Sequence, residues 1–159
     1  MFDGESTFGG VAIRAWAELG AIVEYGSLIY ITVQRSKTVL EAIHAMVDLM
    51  DAYGYASGGE SVSLSDHSGD VWMLEVIGRG SDYDPGQTGS SKKGAVWVAV
   101  KIPNGSVAAH ANQARITKFP RDDPENCLYA DDVVDVAVHY GLYPADADPA
   151  DFSFSDVYH

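Results

Sequence analysis

The chain has 159 residues, 47 % hydrophobic and 21 % charged, the proportions of a folded domain with a sizeable core rather than of a disordered chain. Its formal net charge of −13 repels phosphate backbones and anionic lipids, which argues against nucleic-acid and membrane partners and leaves small neutral or cationic ligands compatible. Cys127 is the single cysteine, so no intrachain disulfide and no multi-cysteine zinc site can form.

Residues 1–26 are rich in Gly and Ala. They open on "MFDGESTFGG", which has neither the basic start nor the apolar core of a secretory signal. The compartment stays open. "IRAWAELGAIVEYG" (13–26) fits a short helix or an irregular approach to one. "SLIYITVQRS" (27–36) carries two readings. Its β-branched content favours a strand. Ser27 as N-cap, with helical spacing of Leu28 to Ile31 and of Ile29 to Val33, favours a helix.

"TVLEAIHAMVDLMDAYG" (38–54) predicts a helix. Thr38 and Glu41 form a capping box, each bonding the other's backbone N–H. Val39, Ile43, Met46, Met50 and Tyr53 make an apolar stripe, and Gly54 stands at the left-handed C-terminal position. His44 lies beside that stripe, where a histidine is ordinarily a packed or half-exposed structural residue.

The periodicity then changes to two. "ESVSLSD", "VWMLEVIG", "AVWVAVKI" and "SVAAHAN" read as four strands. "DHSGD" joins the first pair through a tight Ser-Gly turn. "PNG", with Asn104-Gly105, joins the last pair as a hairpin. "RGSDYDPGQTGSSKKG" is a long polar surface loop. In the second strand Trp72, Leu74 and Val76 point to one face, and Val71, Met73 and Ile77 to the other, with Glu75 among them. Both faces are therefore apolar and expect cover, helices on one and a second sheet on the other. Too few helices and strands remain to supply both, so the chain is expected to lack part of its own fold. "PRDDPEN" is a Pro- and Asp-rich link. "ADDVVDVAVHYG" is a second helix capped by Asp131 or Asp132, with Val133, Val136, Ala137 and Tyr140 inward and Gly141 as its stop. The tail is a polar loop anchored by Phe152, Phe154 and Tyr158.

The fourth strand ends in polar groups. Strand parity puts Ser106, Ala108, His110 and Asn112 on one face, with small residues leaving space beside His110. An Asn amide there can donate to a developing oxyanion. Parity alone favours the plainer reading, in which Asn112 satisfies a turn and His110 a backbone carbonyl. Cys127 with His110 or His139 is a weaker nucleophile–base combination, because nothing around Cys127 activates a thiol. His67 and Asp66 have too few partners for a metal. "SGDVW" and "GSSKKG" lack phosphate-loop spacing, and Lys92 and Lys93 read as a solvated loop tip. The acidic link lacks calcium-loop spacing. No cofactor or metal is indicated.

"GESTFGG", "EYGSLIYITVQRSKTVLEAI", "KKGAVWVAVKIPN", "AAHANQARI" and "DADPADFSFSDVY" occur in that order. Together they resemble bacterial dipeptidases with an N-terminal cysteine nucleophile, members of the N-terminal nucleophile hydrolases. The resemblance covers nearly the whole chain. It implies an α+β fold, a portion of a four-layer αββα sandwich, and it tips residues 27–36 toward helix. In related amidases the first residue's thiol attacks, its own α-amino group is the base, and asparagines complete the oxyanion hole. Asn112 is the implied oxyanion residue, and His110, Gln113 and Arg115 are expected to shape the substrate pocket. Met1 is not a cysteine, so the resemblance implies an internal fragment or a misassigned reading frame, one partial hydrolase domain over 1–159, with the nucleophile segment and a C-terminal segment absent. The groups that remain could bind a dipeptide or short peptide but could not form an acyl-enzyme. An acyl-amide hydrolase and a non-catalytic interaction module are the alternatives, and homo-oligomerisation stays open.

Overall fold

The computed structural model describes residues 20–79, 83, 94–111 and 113–158. Residues 13–19 of the expected first element, most of the 79–94 loop with Lys92 and Lys93, and Asn112 lie outside them.

Residues 27–36 resolve in favour of helix. Helix α1 spans Tyr25–Arg35, and its cap is Glu24 rather than Ser27. The Glu24 carboxylate accepts from the backbone N–H of Gly26 at 2.8 Å and of Ser27 at 2.6 Å, while the Ser27 hydroxyl donates to it. These donors hold the carboxyl below the ordinary range, Gly26 contributing most. Leu28 and Thr32, one turn apart, are buried. Packing of that face outweighs the β-branched composition.

Helix α2 spans Val39–Tyr53. Thr38 Oγ1 accepts from the Glu41 N–H at 3.2 Å, as the capping box requires. Glu41 returns its bond to the N–H of Lys37, one residue earlier than expected. A further N-terminal donor, the Val39 N–H, is taken at 2.9 Å by Asp66 from the first strand turn. Ser68, whose hydroxyl leads, and Val39 together bring that carboxyl down to about 2. Gly54, at φ 75°, ends the helix. Val39, Ile43, Met46 and Met50 are buried as expected, but Tyr53 is 50 % exposed because Tyr55 fills that end of the core.

The sheet contains β1 (Gly59–Ser65), β2 (Val71–Gly78), β3 (Ala95–Lys101) and β4 (Cys127–Tyr129). They lie in sequence order and pair antiparallel throughout. The turn at 66–70 closes with Gly69 at φ 92°. Side-chain alternation in β2 is as expected. Trp72, Leu74 and Val76 pack with Val62, Ala95 and Ala99 against α1 and α2. Met73 and Ile77 pack with Val96 and Val98 on the opposite face.

The fourth expected strand is not where the sequence pattern placed it. The turn at Asn104-Gly105 forms, with Gly105 at φ 82° and the Ser106 N–H on Pro103 O, yet residues 106–110 adopt no regular structure. The free edge of β3 is taken by β4, with Val98 opposite Tyr129 and Val100 opposite Cys127. Val107, the one large apolar side chain of "SVAAHAN", is 94 % exposed. A ladder there would bury little. The shared-face argument for Ser106, Ala108, His110 and Asn112 therefore falls with the strand.

Both faces of the sheet are covered. The second is closed by Ile116 and Phe119, by helix α3 (Val133–His139), and by the tail. In the tail a 3-10 turn at Pro149–Asp151 leads into helix α4 (Phe154–Tyr158). Phe152, Phe154 and Tyr158 are the buried anchors the sequence suggested. Among the described residues the molecule is α+β, one four-stranded antiparallel sheet with flanking helices.

Candidate functional site

The second face is not apolar throughout. At its β1 side, register sets Ser61 opposite Glu75 and Ser63 opposite Met73. Glu75 is 0 % exposed, in the middle of an apolar strand. A buried carboxylate is tolerable only with donors around it. Two of those donors come from about forty residues away in sequence. The Arg115 N–H reaches Glu75 Oε1 at 2.5 Å, the Ile116 N–H reaches Oε2 at 3.1 Å, and the Ser61 hydroxyl lies at 3.4 Å. Burial pushes the carboxyl above its ordinary value, and the two backbone donors pull it back.

Glu75 thus clamps the end of "AAHANQARI" to the sheet. Residues 106–111 and 113–118 form a strap over this face, tied at three points. His110 Nε2 lies 3.1 Å from the Ser63 hydroxyl. Arg115 and Ile116 hang on Glu75. On the outer side Ile116 O accepts from the Ser155 N–H at 2.8 Å, and Thr117 O from the Phe154 N–H at 3.1 Å. The "NQARI" and "FSFSDVY" stretches, far apart in sequence, therefore meet through main-chain bonds. His110 satisfies a serine hydroxyl rather than a backbone carbonyl. Gln113 and Arg115 are exposed, and Asn112, between them and His110, lies outside the described residues.

Between the two limbs of the strap lies a groove of about 530 Å³. Its floor is Met73, Val100 and Ile102, and Arg115 and Lys118 stand on its wall. A second groove of about 470 Å³ lies at the opposite end of β3. It is lined by Asp51, Arg79, Asp131, Asp132 and Asp135, with the Arg79–Asp132 ion pair at 3.0 Å in its wall. Burial raises the Asp51 carboxyl, and Arg79 opposes it.

Cys127 is buried in β4 within the core of the second face. Burial, reinforced by Asp123, pushes its thiol to about 11. That is the reverse of an activated nucleophile.

Glu75 is the residue that reading the sequence passed over. Its signal was present: a lone acid inside an apolar two-sided strand, with a serine in register across from it. Neither feature names the backbone groups it would hold.

A family model described as peptidase family C69 matches residues 8–159. Among curated relatives, a probable dipeptidase of Latilactobacillus sakei is 27 % identical over 108 residues, 68 % of this chain and 19 % of that protein. Dipeptidase A of Lactobacillus helveticus is 31 % identical over 97 residues, 60 % of this chain and 17 % of that protein. The chain thus spans about a fifth of the length of these two relatives.

Proposed function

The chain belongs to peptidase family C69, and from that premise we propose that it contributes the substrate and oxyanion side of a cysteine-type dipeptidase. The observation that carries the reading is the strap: a motif rich in amides and cations, clamped by a fully buried carboxylate on a largely apolar sheet face. Evolving a buried charge to hold a surface loop is costly unless the loop's placement matters. The names of the two relatives support a dipeptide substrate.

In this reading a thiolate attacks the peptide carbonyl carbon, and the carbonyl electrons move onto oxygen. The Asn112 amide N–H donates to that oxyanion. The C–N bond breaks as the amine leaves with the proton that the thiol gave up to its α-amino base, and water then hydrolyses the thioester to carboxylic acid and thiol. His110, Gln113 and Arg115 shape the peptide pocket. The attacking thiol is not Cys127, whose burial and raised pKa disqualify it, so it is supplied by polypeptide other than these 159 residues. The four-stranded sheet with its flanking helices is, on the same reading, a portion of a four-layer αββα sandwich, one partial hydrolase domain.

The purified chain is expected to show no turnover on a panel of dipeptides, and Cys127→Ala to change nothing. Turnover that survives Cys127→Ala but is lost in Asn112→Ala would show that the nucleophile lies within the chain and that the mechanism is wrong.

A further inference from the structure

The wall of the strap groove holds two cations of different standing. Lys118 Nζ is 2.6 Å from Asp151 Oδ1, an exposed pair that occupies its charge. Arg115 forms no ion pair among the described residues other than its long-range attraction to the buried Glu75. Its side chain is exposed on the groove wall, while its own backbone N–H is fixed on Glu75 at 2.5 Å. The base of this side chain is therefore immobilised and its guanidinium is left to face a ligand.

The setting is electrostatically unusual for this molecule. The chain carries a net charge of −13, and the groove beside Arg79 has four aspartates on its walls. The strap groove has no carboxylate among its described lining residues. An apolar floor of Met73, Val100 and Ile102 beneath a fixed guanidinium suits a small molecule with an apolar body and one carboxylate end. A guanidinium binds a carboxylate through two parallel N–H···O bonds, which fixes orientation as well as charge.

We propose that Arg115 receives the free C-terminal carboxylate of the peptide and so selects dipeptides by length. This rests on the dipeptidase reading and deepens it: a longer peptide would place an uncharged amide where the guanidinium expects an anion. Arg115 is then a specificity residue, and Glu75, acting through the Arg115 backbone, is a positioning residue.

The test measures affinity by NMR titration of the isotope-labelled 159-residue chain with alanylalanine and with alanylalanine amide. The wild type is expected to bind the free acid roughly tenfold to a hundredfold more tightly than the amide, the worth of a charge-assisted pair. Arg115→Gln should bring the two affinities within about twofold of each other, and Arg115→Lys should restore part of the preference. Gln keeps the backbone N–H that Glu75 holds, so the strap is expected to stay in place. An acid preference that persists in Arg115→Gln overturns the assignment of Arg115 and leaves the dipeptidase reading standing. Saturable binding of neither compound to the wild type overturns both.

Discussion

Glu75→Ala is expected to lower the stability of the chain by about 3 kcal/mol, measured by urea unfolding. The substitution strands the N–H groups of Arg115 and Ile116 under the strap and leaves a void beside Ser61. An unsatisfied buried donor costs roughly 1–3 kcal/mol. Loss of the carboxylate's own desolvation cost offsets part of that. Glu75→Gln should cost about half as much, because its amide oxygen can serve one of the two N–H groups while its NH₂ faces the other.

The same pair of proteins has a pH signature. Burial holds the Glu75 carboxyl above its ordinary value of 4.5, so the native state binds this proton more tightly than the unfolded chain does. Its contribution to stability is then full below pH 4.5 and declines as pH rises through the native value. Glu75→Gln has no such proton. The stability gap between wild type and Glu75→Gln should narrow as pH rises from below 4.5 through that window. A gap that widens instead would mean that the N–H donors outweigh burial and that the carboxyl is ionised more readily in the fold than out of it.

Asp132→Ala is expected to cost about 3–5 kcal/mol by the same measurement, toward the lower end of that range. The Arg79 and Asp132 side chains are 8 % and 15 % exposed, and their charged atoms stand 3.0 Å apart. Removing the carboxylate takes one partner from a buried guanidinium that Asp51 also attracts. That attraction is why the lower end is expected. Asp132→Asn keeps an acceptor for Nη2 and should cost about 1–2 kcal/mol. A loss below about 0.5 kcal/mol for Asp132→Ala would place this pair with solvent-screened surface bridges instead.

How much of this was legible in the sequence follows from the range over which each signal acts. The start and stop of α2 depend on Thr38, Glu41 and Gly54, all within one turn of the groups they serve, and they were readable. So was the two-sided burial of β2, because alternation in a strand is purely local. The cap of α1 was misplaced by three residues because a glutamate that bonds forward to the next turn looks, in sequence, like any surface acid. The strand expected at 106–112 had the right alternation but too little apolar area to compete for the edge of β3, which Cys127–Tyr129 occupies. Of the site, "AAHANQARI" stood out by its polar ending and by resemblance. What holds it did not, since Glu75 bonds main-chain groups whose position depends on the whole fold. The meeting of Ile116 and Thr117 with Phe154 and Ser155 was hidden for the same reason.

The central claim is that the strap clamped by Glu75 is where a dipeptide binds. Mapping amide chemical-shift changes across the labelled chain during an alanylalanine titration tests it most directly. Changes are expected to concentrate in residues 106–118 and in their floor at Met73, Val100 and Ile102. Changes concentrated instead around Asp51, Arg79 and Asp132, with the strap silent, would contradict it.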